Sequence, residues 1–144
     1  MGGNVVGNVK PSWVPNGIDA VPMDKNRSVL LTGNLTLTAA DSGKTFIFPE
    51  SATQYTVTLP ATAVGLVYYF VYSGRNNQQE ALIVPQAADG INGAGTATVV
   101  NKGIKNTLAT NWKGDWIQIS SLAGATGVTA WCVTGQRGIW AKVP

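Results

Sequence analysis

The stretch Tyr55-Thr56-Val57-Thr58-Leu59 alternates apolar and hydroxyl side chains, and Pro60 ends it. A period of two puts Tyr55, Val57 and Leu59 on one face and the threonines on the other, the pattern of a half-buried β-strand. On its N-terminal side, Lys44-Thr45-Phe46-Ile47-Phe48 follows the turn residues Asp41-Ser42-Gly43 and stops at Pro49, a second strand bounded by breakers. Further back, Val29-Leu30-Leu31-Thr32 and Leu35-Thr36-Leu37-Thr38 flank Gly33-Asn34. Two short apolar runs about such a pair predict a β-hairpin.

On the C-terminal side, Leu66 to Tyr72 is a continuous aliphatic and aromatic run, which predicts a central strand covered on both faces. Ala81-Leu82-Ile83-Val84 ends at Pro85, and Thr96 to Val100, Thr107 to Thr110, Asp115 to Ser120, Val128 to Thr134 and Gly138 to Ala141 read as further strands. No segment has an apolar period of 3.6. Roughly nine or ten short strands with turns between them predict an all-β fold, a single β-sandwich, jelly-roll-like, or a barrel.

The first 28 residues read differently. Pro11, Pro15 and Pro22 stand among Gly2, Gly3, Gly7 and Gly17, and proline at that density suits neither a helix interior nor a central strand. Yet the segment also holds Val5, Val6, Val9, Trp13, Val14, Ile18, Val21 and Met23, which water disfavours. The expected organisation is an extended arm over residues 1–28, lying along its own surface or a neighbour's, and an all-β body over residues 29–144.

The inventory argues against catalysis. The chain has no histidine and one cysteine, so the commonest general base and the multi-thiolate metal sites are missing. The seven acids, Asp19, Asp24, Asp41, Glu50, Glu80, Asp89 and Asp115, fall mostly beside turn residues, and no pair stands out. Asp89-Gly90-Ile91-Asn92-Gly93 lacks the closing glutamate of a calcium loop and reads as a turn. No catalytic residue, metal or cofactor is expected, and the chain is not expected to be an enzyme. Cys132, in an apolar run, reads as a buried structural thiol.

Charged residues make up 12% of the chain, with a net charge of +3. Few charges fit either a surface of threonine, serine and amides or a surface that partners cover. The ten basic residues are scattered from Lys10 to Lys142, so the concentrated basic footprint of nucleic-acid binding is missing. No run reaches membrane-spanning length and no charged-then-apolar signal opens the chain, so synthesis in the cytosol without a membrane role is expected.

Five tryptophans remain. Trp131 shares a face with Val133 and belongs in the core. In Trp116-Ile117-Gln118-Ile119 the isoleucines share one face, so Trp116 points the other way with Gln118. Trp116, and Trp112 close by, are candidates for an oligomer interface; stacking on sugar rings is the alternative use of exposed indoles.

The blocks Leu35 to Phe46, Val57-Thr58-Leu59-Pro60-Ala61, Gly65 to Phe70, Ile83-Val84-Pro85 with Asp89 to Gly93, Gly114-Asp115-Trp116-Ile117 and Trp131 to Trp140 resemble virion proteins of tailed bacteriophages. The likeness is to head decoration (cement) proteins and to head or tail fibre modules, and it spans residues 29 to 144. The resemblance implies a homotrimer on the outside of an icosahedral shell, made in the host cytoplasm, with the major capsid protein of the same virion as partner. The eight apolar arm residues would then supply the attachment. A fibre or receptor-binding module for host surface glycans is the alternative that the same resemblance allows.

Overall fold

Strands alternate between two sheets along the first half of the chain. The computed structural model describes residues 24–93 and 99–144. Its strands are β1 (Ser28–Leu30), β2 (Leu35–Thr36), β3 (Thr45–Phe48), β4 (Thr56–Thr58), β5 (Val67–Tyr72), β6 (Leu82–Val84), β7 (Ile91–Asn92), β8 (Ile104–Asn106), β9 (Trp116–Ser120), β10 (Trp131–Arg137) and β11 (Trp140–Lys142). One sheet has the order β1-β3-β5-β9-β10-β7 and the other β11-β8-β6-β4-β2. The fold is all-β, two packed sheets, as the strand pattern predicts; among the described residues there is no α-helix.

The pairing has two regimes. Through β6 each strand pairs parallel with the strand two before it: β1 with β3, β3 with β5, β2 with β4, and β4 with β6. The chain therefore winds as a flattened coil, one strand per sheet per turn. The second half is mostly antiparallel: β8 adds antiparallel to β6, β9 to β5, β10 to β9 and β11 to β8, while β7 lies parallel to β10 at the sheet edge.

This winding overturns the expected hairpin at Gly33-Asn34. Leu30 pairs with Ile47 and Leu35 with Val57, so the two runs lie in different sheets and the Gly-Asn pair turns a corner of the coil. Asn34 Oδ1 accepts the Thr56 N–H at 2.8 Å and braces that corner against the next turn. A corner and a hairpin ask for the same residues; only the pairing partners tell them apart.

Side chains from both sheets meet in one core. Phe46, Phe48, Tyr68, Phe70, Ile117, Ile119 and Trp131 come from the larger sheet, and Val57, Ile83, Ile104 and Trp140 from the smaller. Phe46 and Phe48 tilt against Phe70 at centroid distances of 5.8 and 6.4 Å, and Tyr68 against Trp131 at 5.7 Å, separations at which aromatic pairs attract. Trp131 is fully buried, as expected.

Several local readings need correction. β5 is central, but only Tyr68, Phe70 and Tyr72 are buried; Val67, Tyr69 and Val71 are half-buried on the opposite face. Thr107 to Thr110 forms a 3-10 turn at Leu108–Thr110, not a strand. β10 starts at Trp131, not Val128, because Gly127 takes φ 87° and accepts the Ala130 N–H at 3.1 Å, closing a turn there. Cys132 is half-exposed, opposite Ser120 on the outer face, because the alternation that buries Trp131 turns its neighbour outward. Residues 96–98 of the expected Thr96–Val100 strand lie outside the described residues; Val100 makes one antiparallel bridge to Gly90. No helix among the described residues is long and apolar enough to cross a membrane.

Candidate interaction surface

The outer face of the larger sheet carries an apolar row. The register aligns Leu30 with Ile47, Ile47 with Val71, Val71 with Trp116, and Trp116 with Arg137. These four apolar residues alternate with core residues along their strands, so they share the face turned away from the core. Leu30 is 59% exposed, whereas Trp116 is only 8% exposed although it lies outside the core cluster. The sequence placed Trp116 on a second face, and the register bears that out.

Two further rows complete this face. Ser28, Thr45, Tyr69, Gln118 and Gly135 form one, and Val67, Ser120 and Cys132 the other. Ser120 Oγ and Thr134 Oγ1 lie 2.8 Å apart beside them. No residue of the three rows is charged except Arg137 at one end. Tyr69 and Val67 separate two shallow hollows of about 310 and 350 Å3. The first is bordered by Val64, Gln118 and Leu122, the second by Asp24, Arg27 and Gly43. Val64 and Leu122 are both well exposed. A face so poor in charge and so broad has the composition of an interface core.

Trp112 lies elsewhere. It is 64% exposed, in the loop between the Leu108–Thr110 turn and β9. Asp115, 3% exposed, accepts the Trp112 N–H through Oδ2 at 2.9 Å, and the Asp115 N–H donates to the Trp112 carbonyl at 3.0 Å. The structure therefore does not bring Trp112 and Trp116 into one row. Trp116 is on the sheet face and Trp112 is on the loop at its end. Val5, Val6, Val9, Trp13, Val14, Ile18, Val21 and Met23 lie outside the described residues.

No protein-family model matches the chain, and no curated protein matches it.

The titratable groups act as braces. Tyr68 donates to the Thr38 carbonyl at 2.8 Å, and burial pushes its hydroxyl up to about 12. Tyr72 donates to the Arg75 carbonyl at 2.6 Å, and burial raises it too. Both phenols stay protonated near neutral pH. The Asp41 carboxyl is held below its ordinary range chiefly by its hydrogen bond with Lys44, at 2.8 Å, and also receives the Thr38 N–H at 2.9 Å. Asp89 is buried; it accepts the Gly127 N–H at 3.3 Å, and its carbonyl accepts the Asn101 N–H at 2.8 Å. It ties a loop together, as its turn-like sequence suggests. Among the described residues, no three His, Cys, Asp or Glu side chains gather as a metal site would require.

The apolar row is what sequence reasoning missed. Leu30, Ile47 and Val71 are ordinary strand residues, and nothing local distinguishes them from core positions. Only the register across four strands makes them neighbours.

Proposed function

We infer that this chain is a structural binding protein of a virion: a decoration (cement) protein that covers the outer surface of a major capsid protein shell and stabilises it, acting as a homotrimer. The observation that carries this reading is the charge-poor outer face with its apolar row Leu30, Ile47, Val71 and Trp116, which ends at Arg137. Burying such a face against protein removes apolar area from water at about 25 cal/mol per Å2, less the cost of association. The sequence resemblance supplies the setting, and the absence of histidine fits an adhesive rather than a catalytic role.

In this reading the face joins copies of the body, and the arm attaches the oligomer to the shell. An extended apolar arm can pair its backbone with strand edges of capsid subunits while burying its side chains. Three arms on one trimer reinforce one another through effective concentration.

The test is removal of residues 1–23, which leaves β1 whole. The truncated protein should keep its thermal transition but fail to attach to undecorated shells of the same virion. Normal decoration by the truncated protein would sink the arm's role.

A further inference from the structure

The two ends of the sandwich differ. At one end the edge strands are β7 and β11, and Lys142 Nζ from β11 donates to the Ile91 carbonyl of β7, so a side chain bridges the sheets there. At the other end the edge strands among the described residues are β1 and β2. The Leu37 N–H donates to the Thr58 carbonyl at 2.8 Å, so the alternation along a parallel ladder turns the Thr36 N–H and C=O away from β4, towards the free edge. Between β1 and β2 lies a hollow of about 170 Å3 bordered by Val29, Leu30 and Leu35. Val29 and Leu35 are half-buried against the core, and Leu30 is well exposed. An unpaired edge beside apolar side chains is a template for another strand.

The chain approaches this end through a turn that the coil repeats. The corners from β2 to β3 and from β4 to β5 each take eight residues, 37–44 and 59–66. In each, the last residue donates its N–H to the carbonyl three before it: Lys44 to Asp41 at 3.1 Å and Leu66 to Ala63 at 3.3 Å. Directly before β1, the Arg27 N–H donates to the Asp24 carbonyl at 2.9 Å in the same way. The last carbonyl of the turn is used alike as well: that of Arg27 accepts the Thr45 N–H at 2.9 Å, and that of Lys44 accepts the Tyr69 N–H at 3.2 Å. Residues 24–27 therefore have the bonding of the second half of such a corner. Eight residues counted back from Ser28 make the corner 20–27, which puts Ile18 level with Leu35 and Asp19 level with Thr36. The residue types agree with those rows. Leu35, Val57 and Ile83 share the inward row, and Thr36 and Thr58 the outward one.

We propose that the free edge of β2 is the docking site of residues 17–20 of the same chain, which add to the smaller sheet as one more parallel strand, with Ile18 over the hollow beside Leu35. The occupant is the chain's own segment because an eight-residue corner brings it to the edge with no added loop. The same segment of a second copy would carry the cost of association besides. The inference does not rest on the capsid reading. It fixes the root of the arm, and leaves Val5, Val6, Val9, Trp13 and Val14 as the part that reaches a partner.

Cross-linking tests the register. In a full chain carrying Cys132→Ser, the pair Asp19→Cys with Thr36→Cys sets two thiols level on neighbouring strands, at a separation that a disulfide can span. Mild oxidation should consume both thiols and leave a species of monomer mass on a non-reducing gel. The pair Val14→Cys with Thr36→Cys, in the same background, should close about tenfold more slowly, because its effective concentration is lower. Equal rates for the two pairs overturn the proposal. A 19–36 disulfide formed between two chains overturns it as well, and assigns the edge to a second copy. Melting gives an independent readout. Removal of residues 1–16 should leave the melting temperature unchanged, whereas removal of residues 1–23 should keep one cooperative transition and lower it by about 3 °C. Identical melting of the two truncated proteins would leave residues 17–20 no place on the edge.

Discussion

Asn106 Nδ2 donates to Asp115 Oδ2 at 3.1 Å, and both residues are buried. Asn106 ends β8 in the smaller sheet and Asp115 immediately precedes β9 in the larger, so this bond clips the two sheets together at one end of the core. The same carboxylate oxygen accepts the Trp112 N–H, and Asn106 Nδ2 also reaches the Ile139 carbonyl at 3.1 Å. One carboxylate therefore joins both sheets and the Trp112 turn.

Removing that carboxylate should be costly. Asp115→Ala takes one of two acceptors from the buried Asn106 amide and the acceptor from the Trp112 N–H, a penalty of about 1–3 kcal/mol. Urea unfolding should show a lower midpoint with little change in slope. Asp115→Asn, which can still offer an oxygen at the same place, should lose less.

Gly138 is packed directly against the same group. It takes φ 89°, and a β-carbon built on it would collide with the Asp115 carboxyl. Gly138→Ala combines left-handed strain with that clash and should destabilise the fold by about 1–3 kcal/mol. A melting temperature equal to that of the parent protein would refute the account.

Tyr68 makes stability sensitive to alkali. Its folded pKa is raised to about 12, chiefly by burial, so the fold favours the protonated phenol. The contribution is complete below the unfolded value near 10 and is lost as pH rises towards 12. Unfolding free energy measured from pH 8 to 11.5 should fall above pH 10, and the Tyr68→Phe variant should lack this component.

Asp41 acts at the other end of the scale. Its folded pKa is lowered, with Lys44 the largest cause, so its contribution is present above the ordinary carboxylate range and lost as pH falls through the folded value. Asp41→Asn should flatten the acid side of the stability profile, although the pair is partly exposed and the effect correspondingly small.

On the proposed reading, the outer face governs self-association. Val71→Asp places a charge in the middle of the apolar row without touching the core, because Val71 is half-buried on the opposite face. The variant should stay folded and sediment as a smaller species than the parent. An unchanged oligomer would place the contact elsewhere.

The all-β class and most strand positions were legible because alternation is local: Tyr55 to Leu59 or Trp116 to Ser120 can be read without knowing their neighbours. Trp116's orientation was legible for the same reason. The coil was not. Gly33-Asn34 has the chemistry of a turn, and whether a turn returns the chain to the same sheet or passes it to the other depends on the long-range pairing of Leu30 with Ile47 and of Leu35 with Val57. The half-exposure of Cys132 was hidden because an apolar run conceals which of its residues face out.

The coil has a consequence for how such a body could change in length. Each turn contributes one strand to each sheet, and adjacent turns run in the same direction, so the turn containing β3 and β4 could in principle be removed and leave β1 facing β5 in the same sense. A further turn could be inserted by the same logic. Each such step alters the height of the body by one inter-strand spacing, about 4.8 Å. The coil from β1 to β6 is thus built of repeatable turns, and β8 and β9 close its last turn by antiparallel pairing.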